Sequence, residues 1–576
     1  MIYTSEPVCV VHRQEGRREG TVPVSCERAY PQSNFRRWLA WALLACSLAV
    51  VLYVRLRLLN VPLERDEGEY AYAGQLIIGG LPPYKLAYNM KMPGIYLAYA
   101  GIMAVFGQTA AGIHLGLLLV HLASLAALFV ITKRLFGLSA AAVATSAYAL
   151  MTLSPAFLGL AAHATHFVVL PELLGIWLLL RFESARHWRG CFASGCFFGL
   201  AFLMKQHAAF LCGFGALYVA WLCVREELSA PSSSVTARRT LSVALRPMSF
   251  LVGAVLPFLA ICMWLKIAGV FPQFWFWTVS YARQYVSVFT PAQGLRNALY
   301  TFGEILFVAP FLWMIAAFGL RLLCVAQLAL QRRVFLAGFL GFSVLAVCPG
   351  YFFRPHYFIL LLPAVCFLIA LAVWWSEVWI AKEKRQPWLR HLALMFGLLA
   401  CAESLCVYHD VLFTLSPTDV CRRVYKGRPF PESLDIARYI ASNTRPNERI
   451  AVVGSEPEIY FYTHRVSSTG YIYMYPLMEP QPFANDMQAQ MIREIEQNPP
   501  AYLVFTFVPN SWLMRPTSNR RVLDWVQRYV DENMQLVGLI QYRDSKTIGM
   551  AWGNQAATPP LRSTSYTAIY RRVDQP

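Results

Sequence analysis

Long apolar stretches, separated by short polar segments, fill the chain from about residue 38 to residue 420. A helix needs ~20 apolar residues to cross a bilayer. Helices that are shielded by other parts of the protein can be shorter. The pattern therefore predicts a polytopic α-helical membrane protein with about eleven spans, near residues 38–58, 110–132, 139–158, 165–182, 191–206, 207–223, 248–268, 299–320, 334–350, 356–378 and 391–413.

The pattern changes in the C-terminal part of the chain, residues 425–576. Helical spacing of apolar residues there alternates with short buried runs that are typical of strands. The predicted helices cover 432–443, 488–497 and 522–533, the predicted strands cover 449–454, 501–508 and 534–542, and 456–464 is a helix or a turn. Alternating strands and helices predict a small α/β domain.

The composition agrees with a membrane protein. Of the 576 residues, 57% are hydrophobic and 14% are charged, whereas soluble domains carry ~25% charged residues. The net charge of +18 would suit a nucleic-acid partner, but the basic residues are dispersed between apolar stretches, so no nucleic acid is expected. The fourteen Cys residues show neither CxxC pairs nor zinc-ligand spacing, and no cofactor or metal is predicted.

The basic residues also predict an orientation in the membrane. With residues 1–37 as a cytoplasmic tail before an uncleaved anchor, the segments on that side hold about twice as many Lys and Arg residues as the opposite side. An odd number of spans then places the C-terminal domain outside. The loop 59–109 also lies outside, at the outer face of the cytoplasmic membrane.

That first outer loop contains more charged and polar side chains than a simple connector needs. "LERDEGEYAYAGQLIIGGLPPYKLAYNMKMPG" (63–94) holds four carboxylates together with Tyr, Lys and Pro residues. We expect a short interfacial helix, a break at "LPPY", and a second short apolar helix after Lys91. An interface-anchoring loop with Tyr in the aromatic belt is the alternative interpretation.

The residues of this loop, "RDEGEYAYAGQLIIGGLPPY" and then "NMKMPGIYLAYAGIMAVFG", resemble the first external loop of the GT-C glycosyltransferases. The likeness is to the protein O-mannosyltransferase-like and aminoarabinose transferase-like members. Later segments are similar in the same order: "KRLFG" (133–137), "GLAFLMKQHAAF" (199–210), "RPHYFILLLPA" (354–364) and "GSEPEIYFYTHRVSSTGYIYMYPL" (454–477). The chain departs from the aminoarabinose transferases at "DEGEY" and "KMPG", which leaves the donor sugar open.

The resemblance implies a GT-C fold and a reaction. A polyprenyl-phosphate sugar donates its sugar to the hydroxyl of a glycan, lipid or protein acceptor. Asp66 matches the family's catalytic Asp, and Glu67 would orient the acceptor or hold the loop. An acceptor hydroxyl needs a base, and we expect an apolar cavity to raise the pKa of the Asp66 carboxyl into a useful range.

The leaving group of this reaction is a lipid phosphate, which needs cations to neutralise it. Lys91 matches the family's phosphate-binding Lys. The other candidate binding residues are Arg354, His356 and Tyr357 of the later external motif, together with Lys205 and Arg283. For a Lys or Arg at a membrane surface, snorkelling is the competing interpretation.

Other classes of protein predict different features. A lipid or sugar transporter or flippase is the main alternative, but the polar residues gather outside the spans rather than at mid-membrane. A receptor that binds ligands through its C-terminal domain is a third possibility. His163 and His166 could bind a metal or phosphate from one helix face, although capping or packing explains them more simply.

Overall fold

The computed structural model describes residues 34–181, 188–228, 237–382, 389, 391–426, 429–543, 546–557 and 563–573. The predicted cytoplasmic tail, residues 1–37, falls almost wholly outside these ranges. Helices occupy the region up to residue 425, and a sheet with flanking helices follows it. The predicted fold class is confirmed.

Within the described ranges, seven helices are long and apolar enough to cross a membrane. The protein is therefore a multi-pass membrane protein. Three further predicted spans are present as shorter apolar helices. The seven helices are Asn34–Arg57, Ala110–Phe136, Ala164–Arg181, Gln206–Leu228, Leu245–Ile267, Leu330–Val347 and Leu362–Lys382, and the three shorter ones are Leu138–Met151, Trp188–Met204 and Leu392–Glu403.

The helix Leu138–Met151 shows how a short span is tolerated. Its 14 residues extend ~21 Å at 1.5 Å per residue, less than the ~30 Å apolar core of a bilayer. All of its residues from Ser139 to Met151 are buried. Neighbouring helices rather than lipid surround it, so it need not match the bilayer thickness.

The predicted span 299–320 is wrong as a single straight helix. The structure has two helices, Pro291–Val308 and Pro310–Val325, that meet at an angle of 110°. Pro310 has no N–H to donate and its ring excludes a continuous helix at this point. The pair is a broken span or a re-entrant loop, which gives at most eight long spans in the described residues.

The loop 59–109 folds into two short helices, Arg65–Ile78 and Pro93–Phe106, as the sequence predicts. Gly79 and Gly80 end the first helix, and Pro93 occupies the first turn of the second. Short helices connect other parts of the chain: Phe271–Trp275, Ala282–Tyr285, His409–Phe413 and Pro417–Tyr425.

The C-terminal domain contains a mixed six-stranded sheet. Its strands are β1 (Arg449–Val453), β2 (Val466–Ser467), β3 (Tyr502–Phe507), β4 (Met534–Arg543), β5 (Lys546–Trp552) and β6 (Ser565–Arg572), in the order β2-β1-β3-β6-β4-β5. β1 pairs in parallel with β2 and β3, and the other pairs are antiparallel. The flanking helices include Ser433–Ser442, Glu458–Thr463, Ala484–Gln497 and Arg521–Asn533. The predicted strands and helices are present, whereas β2, β5 and β6 were not predicted.

One hydrophobic core joins the loop 59–109 to the C-terminal domain. The ring of Tyr72, on the first loop helix, stacks on Tyr460 with 5.0 Å between centroids. The Tyr72 hydroxyl accepts the backbone N–H of Ser467 at 2.9 Å, and the Tyr462 hydroxyl accepts that of Leu63 at 2.8 Å. The loop is therefore held between the membrane helices and the sheet.

Candidate active site

The helix Arg65–Ile78 begins beside the candidate carboxylates. Glu64 caps it: its side chain accepts the Glu67 N–H, and the Glu67 side chain accepts the Glu64 N–H. This capping box satisfies two backbone donors at once. Asp66 therefore lies in the first turn of a helix, where the helix dipole favours negative charge.

Six of the eight candidate residues line one cavity of about 280 Å³. They are Asp66, Lys91, Lys205, Arg354, His356 and Tyr357. They come from loops or helix ends that lie far apart in the sequence. The fold thus brings together the residues that were selected on chemistry and resemblance.

Asp66 is the carboxylate at the centre of these contacts. Its Oδ1 accepts hydrogen bonds from Lys91 Nζ at 3.1 Å and from the Tyr473 hydroxyl at 3.0 Å. Its Oδ2 lies 3.7 Å from His163 Nδ1. One carboxylate oxygen is therefore engaged by two donors, while the other has no donor at hydrogen-bond distance among the described residues.

Three cations share the cavity with this carboxylate. Lys91 Nζ also donates to the Tyr70 hydroxyl at 3.3 Å. Lys205 Nζ lies 4.6 Å from the centre of the Tyr357 ring, and the Arg354 guanidinium lies 5.4 Å from that of Phe352. Stacking on aromatic rings holds such cations without neutralising them. The cavity therefore holds three basic side chains against the two carboxyl groups of Asp66 and Glu479, and it suits an anionic ligand.

The basic side chains in the cavity shift the pKa of Asp66 in the direction opposite to the one predicted from the sequence. Burial favours the neutral form of Asp66, but the charges of Lys91 and others outweigh it, so the pKa of the carboxyl lies well below its usual range. Burial, and then the charge of Lys91, lower the pKa of Lys205 to about 7. The predicted rise in the pKa of Asp66 is wrong because sequence alone does not reveal how many cations converge on it.

Glu69 carries the raised pKa that was expected of Asp66. Burial raises the pKa of its carboxyl to about 7. Its Oε1 accepts from the Tyr96 hydroxyl at 2.5 Å and its Oε2 from Asn89 Nδ2 at 2.9 Å. Glu69 is fully buried and does not line the cavity.

The structure does not bring Glu67 or Arg283 into the cavity. Glu67 is fully buried; its Oε1 accepts the backbone N–H of Ala162 at 2.6 Å and lies 3.1 Å from His114 Nε2. These contacts suit the loop-holding role considered for Glu67 and not contact with a substrate. Arg283 is exposed, which agrees with the interpretation as a surface cation.

Asp66, His163 and His356 form a group that could hold a metal ion, which the sequence did not predict. One ligand atom from each lies within 4.8 Å of the others, and the two imidazole rings stack with 4.1 Å between centroids. Burial lowers the pKa of His163 to about 4, so its ring is neutral at pH 7, as a metal ligand must be. Neither ring nitrogen of His163 has a hydrogen-bond partner in the described part of the chain.

The C-terminal domain supplies a part of the cavity wall that the sequence did not predict. Tyr473, Tyr475, Pro476 and Glu479 all line the cavity. Glu479 Oε2 accepts from the Tyr281 hydroxyl at 2.6 Å. The available signal was the run of aromatic residues in "TGYIYMYPL", but nothing in the sequence connects it to Asp66, about 400 positions earlier.

The comparisons with known proteins agree with this architecture. A family profile described as dolichyl-phosphate-mannose-protein mannosyltransferase matches residues 90–246, about a quarter of the chain. No curated protein matches the chain in sequence.

Solved structures match over much more of the chain. ArnT from Cupriavidus metallidurans bound to undecaprenyl phosphate is 17% identical, with a TM-score of 0.55, covering 90% of this chain and 99% of that one. ArnT in the apo state is 16% identical, with a TM-score of 0.55 and coverage of 92% and 100%. The archaeal oligosaccharyltransferase AglB from Archaeoglobus fulgidus, in complex with an inhibitory peptide and a dolichol-phosphate, is 13% identical, with a TM-score of 0.51 and coverage of 94% and 77%.

These matches confirm the resemblance to the GT-C glycosyltransferases at the level of the fold. The family profile includes Lys91 and Lys205, two of the three cations in the cavity. The protein is thus a multi-pass membrane protein with the fold of the GT-C membrane glycosyltransferases.

Proposed function

We propose that this protein is a GT-C-type glycosyltransferase that moves a sugar from a polyprenyl-phosphate donor to an acceptor hydroxyl. The observation that carries the proposal is the cavity in which Lys91, Lys205 and Arg354 surround the carboxylate of Asp66. The three basic side chains can bind a lipid phosphate, and the carboxylate can accept the proton of an acceptor hydroxyl. The ArnT and AglB structures hold undecaprenyl phosphate and dolichol-phosphate, respectively.

The rim of the cavity also suits a lipid carrier. Phe210 and Val286 line the cavity and are 37% and 44% exposed. Phe210 lies in the membrane-spanning helix Gln206–Leu228. Apolar side chains at this position would contact the polyprenyl chain while the phosphate lies among the cations.

The reaction follows from these contacts. The acceptor oxygen attacks the anomeric carbon and its O–H proton passes to Asp66. The bond between the anomeric carbon and the phosphate oxygen breaks, and its electron pair leaves with the lipid phosphate. Lys91, Arg354 and Lys205 stabilise the negative charge that develops there. The products are the glycosylated acceptor and the polyprenyl phosphate.

Donor binding also explains how a carboxylate of low pKa can act as a base. The phosphate carries negative charge, and its binding to Lys91 and Arg354 offsets their effect on Asp66. An additional negative charge nearby favours the protonated form of a carboxyl group. The proton affinity of Asp66 is therefore higher in the donor complex than in the free protein.

The position of the site argues against the transporter alternative. Asp66, Lys91, Lys205 and Arg354 all lie outside the membrane-spanning helices. A transporter would carry its charged binding residues near mid-membrane, between broken helices. We place the site at the outer face of the cytoplasmic membrane, with a glycan, lipid or protein as acceptor.

The test is a transfer assay with purified protein in lipid nanodiscs. A panel of polyprenyl-phosphate hexoses and pentoses is supplied, and released polyprenyl phosphate is measured with and without membrane extract as a source of acceptor. We expect release of polyprenyl phosphate from at least one lipid donor. With the matching nucleotide sugars we expect no release of nucleoside phosphate. Release from none of the lipid donors, in protein that binds polyprenyl phosphate, would contradict the proposal.

A further inference from the structure

Tyr473, in the C-terminal domain, contacts the proposed base directly. Its hydroxyl donates to Asp66 Oδ1 at 3.0 Å, and its side chain is 5% exposed. Its ring packs edge to face against Tyr475, with 5.5 Å between centroids. The hydroxyl is therefore fixed by packing as well as by the hydrogen bond.

The segment around Tyr473 is linked to the Arg65 side chain, next to Asp66, through a single buried residue, Ser455. The N–H of Met474, next to Tyr473, donates to Ser455 Oγ at 2.9 Å. The Ser455 carbonyl accepts from Nε of Arg65, the neighbour of Asp66. Because both neighbours bond to the same residue, Tyr473 and Asp66 are held in a fixed relative position.

Arg65 strengthens this connection. Its Nη2 lies 3.3 Å from Glu456 Oε1 in an ion pair, and its Nη1 donates to the Tyr475 hydroxyl at 2.5 Å. The Glu456 side chain is fully buried. An Arg that makes several hydrogen bonds holds its partners in one geometry, so the C-terminal domain cannot shift without breaking these bonds.

We propose that Tyr473 is a positioning residue that holds Asp66 in the orientation needed for transfer. This inference rests on the proposed function. Tyr473 and Lys91 both bond Oδ1, which fixes the carboxylate plane and leaves Oδ2 to accept the proton of the acceptor. When Lys91 turns toward the donor phosphate, the Tyr473 hydroxyl still holds Oδ1. The C-terminal domain thereby completes the active site.

The test compares Tyr473→Phe with Tyr471→Phe. The first variant removes only the hydroxyl that bonds Asp66. Tyr471 lies two positions earlier, is 3% exposed, and donates its hydroxyl to Gln490 Oε1 at 2.9 Å, away from the cavity. Both variants therefore lose one buried hydroxyl from the same segment.

For Tyr473→Phe we expect kcat to fall roughly 10- to 100-fold, the size expected for one hydrogen bond to a charged group. The KM for the lipid donor should change little, because the phosphate contacts are retained. Tyr471→Phe should keep the wild-type kcat. Tm is measured for both variants, so that a loss of folded protein is separated from a loss of turnover.

Three outcomes would overturn the inference while the proposed function stands: unchanged kcat in Tyr473→Phe, an equal loss in both variants, or a loss that appears only in KM. Absence of turnover by the wild-type protein would contradict the proposed function, and this inference with it.

Discussion

At the scale of single residues, a few charged side chains set one another's protonation state in the cavity. Asp66 is ionised because cations surround it, and Lys205 has a pKa of about 7 because it is buried beside Lys91. Lys91 is the cation that bonds Asp66 directly. It is therefore the residue whose removal changes both the phosphate site and the base.

We predict that Lys91→Ala raises the KM for the lipid donor by at least about tenfold, since a charge-assisted hydrogen bond to phosphate is lost. Lys91→Arg should retain part of the affinity, because the charge remains while its geometry changes. Lys85→Ala is the matched control: Lys85 lies in the same loop, is exposed, and does not line the cavity. Equal donor KM values for Lys91→Ala and Lys85→Ala would refute the phosphate role.

Some residues of the site could be identified from the sequence, and others could not. Asp66 and Lys91 were identified because they lie in one short segment with a family pattern, and Arg354 and His356 because they lie in another. Tyr473 was missed because a single Tyr in an aromatic run carries no sign of its partner. The pKa of Asp66 was predicted in the wrong direction because it depends on the three-dimensional arrangement of several cations.

At the scale of elements, the close packing of the helix Arg65–Ile78 on the helix Glu458–Thr463 orients the site. Gly68 makes this contact possible: a Cβ at this position would lie 2.7 Å from both the Cβ and the N of Glu458. Backbone and a buried side chain cannot move aside as the end of a flexible side chain can. A larger residue at position 68 must therefore separate the two helices.

We predict that Gly68→Ala destabilises the protein by about 1–3 kcal/mol, the usual cost of overpacking, and lowers turnover by displacing Asp66 from Tyr473. Gly101→Ala is the control, because Gly101 also lies in a short loop helix and a Cβ there would meet nothing within 4 Å. Tm and the rate of lipid-phosphate release measure the two effects. A Gly68→Ala variant as stable and active as Gly101→Ala would show that the helices do not need this contact.

Helices with a strong apolar periodicity were predicted from the sequence, whereas strands without a continuous apolar run were missed. The helices Ala484–Gln497 and Arg521–Asn533 have clear apolar faces and were both predicted, the second to within one residue at its start and the first without its initial turn, 484–487. β5 ("KTIGMAW") and β6 ("SYTAIYRR") were missed because neither forms a continuous apolar run. The bend before Pro310 was missed because the apolar pattern continues through it.

At the scale of the whole molecule, buried carboxyl groups lie where the C-terminal domain meets the loop. Burial, and then the charge of Glu456, raise the pKa of Glu458 to about 8; its Oε1 accepts from Ser433 Oγ at 2.8 Å. In the unfolded chain the pKa of Glu is about 4.3. The folded protein therefore binds this proton more tightly, and stability falls as pH rises from the unfolded pKa through about 8.

We predict that Glu458→Gln, which cannot ionise, makes Tm depend less steeply on pH between pH 5 and 8 and raises Tm at the upper end. Glu532→Gln is the control, because Glu532 is exposed on the helix Arg521–Asn533. Thermal unfolding across this pH range gives the comparison. Parallel Tm profiles for wild type and Glu458→Gln would indicate that Glu458 does not titrate on unfolding.

The orientation of the whole chain is a separate prediction. The distribution of Lys and Arg places the C-terminal domain outside, on the same face as Asp66 and Lys91. A reporter that is active only outside the cytoplasm, fused after Arg572, should be active. Activity of a cytoplasmic reporter alone at this position would place the proposed site on the wrong face.

The most direct test of the account is the rate of polyprenyl-phosphate release by Asp66→Asn at saturating lipid donor. Asn has nearly the shape of Asp but cannot accept the proton of the acceptor, so the rate should fall by ~10²–10⁴-fold. The protein should remain folded and able to bind polyprenyl phosphate. Glu67→Gln should instead lower Tm more than the rate, because Glu67 is buried and bonds Ala162 and His114. A near-wild-type rate of release by folded Asp66→Asn would contradict the account.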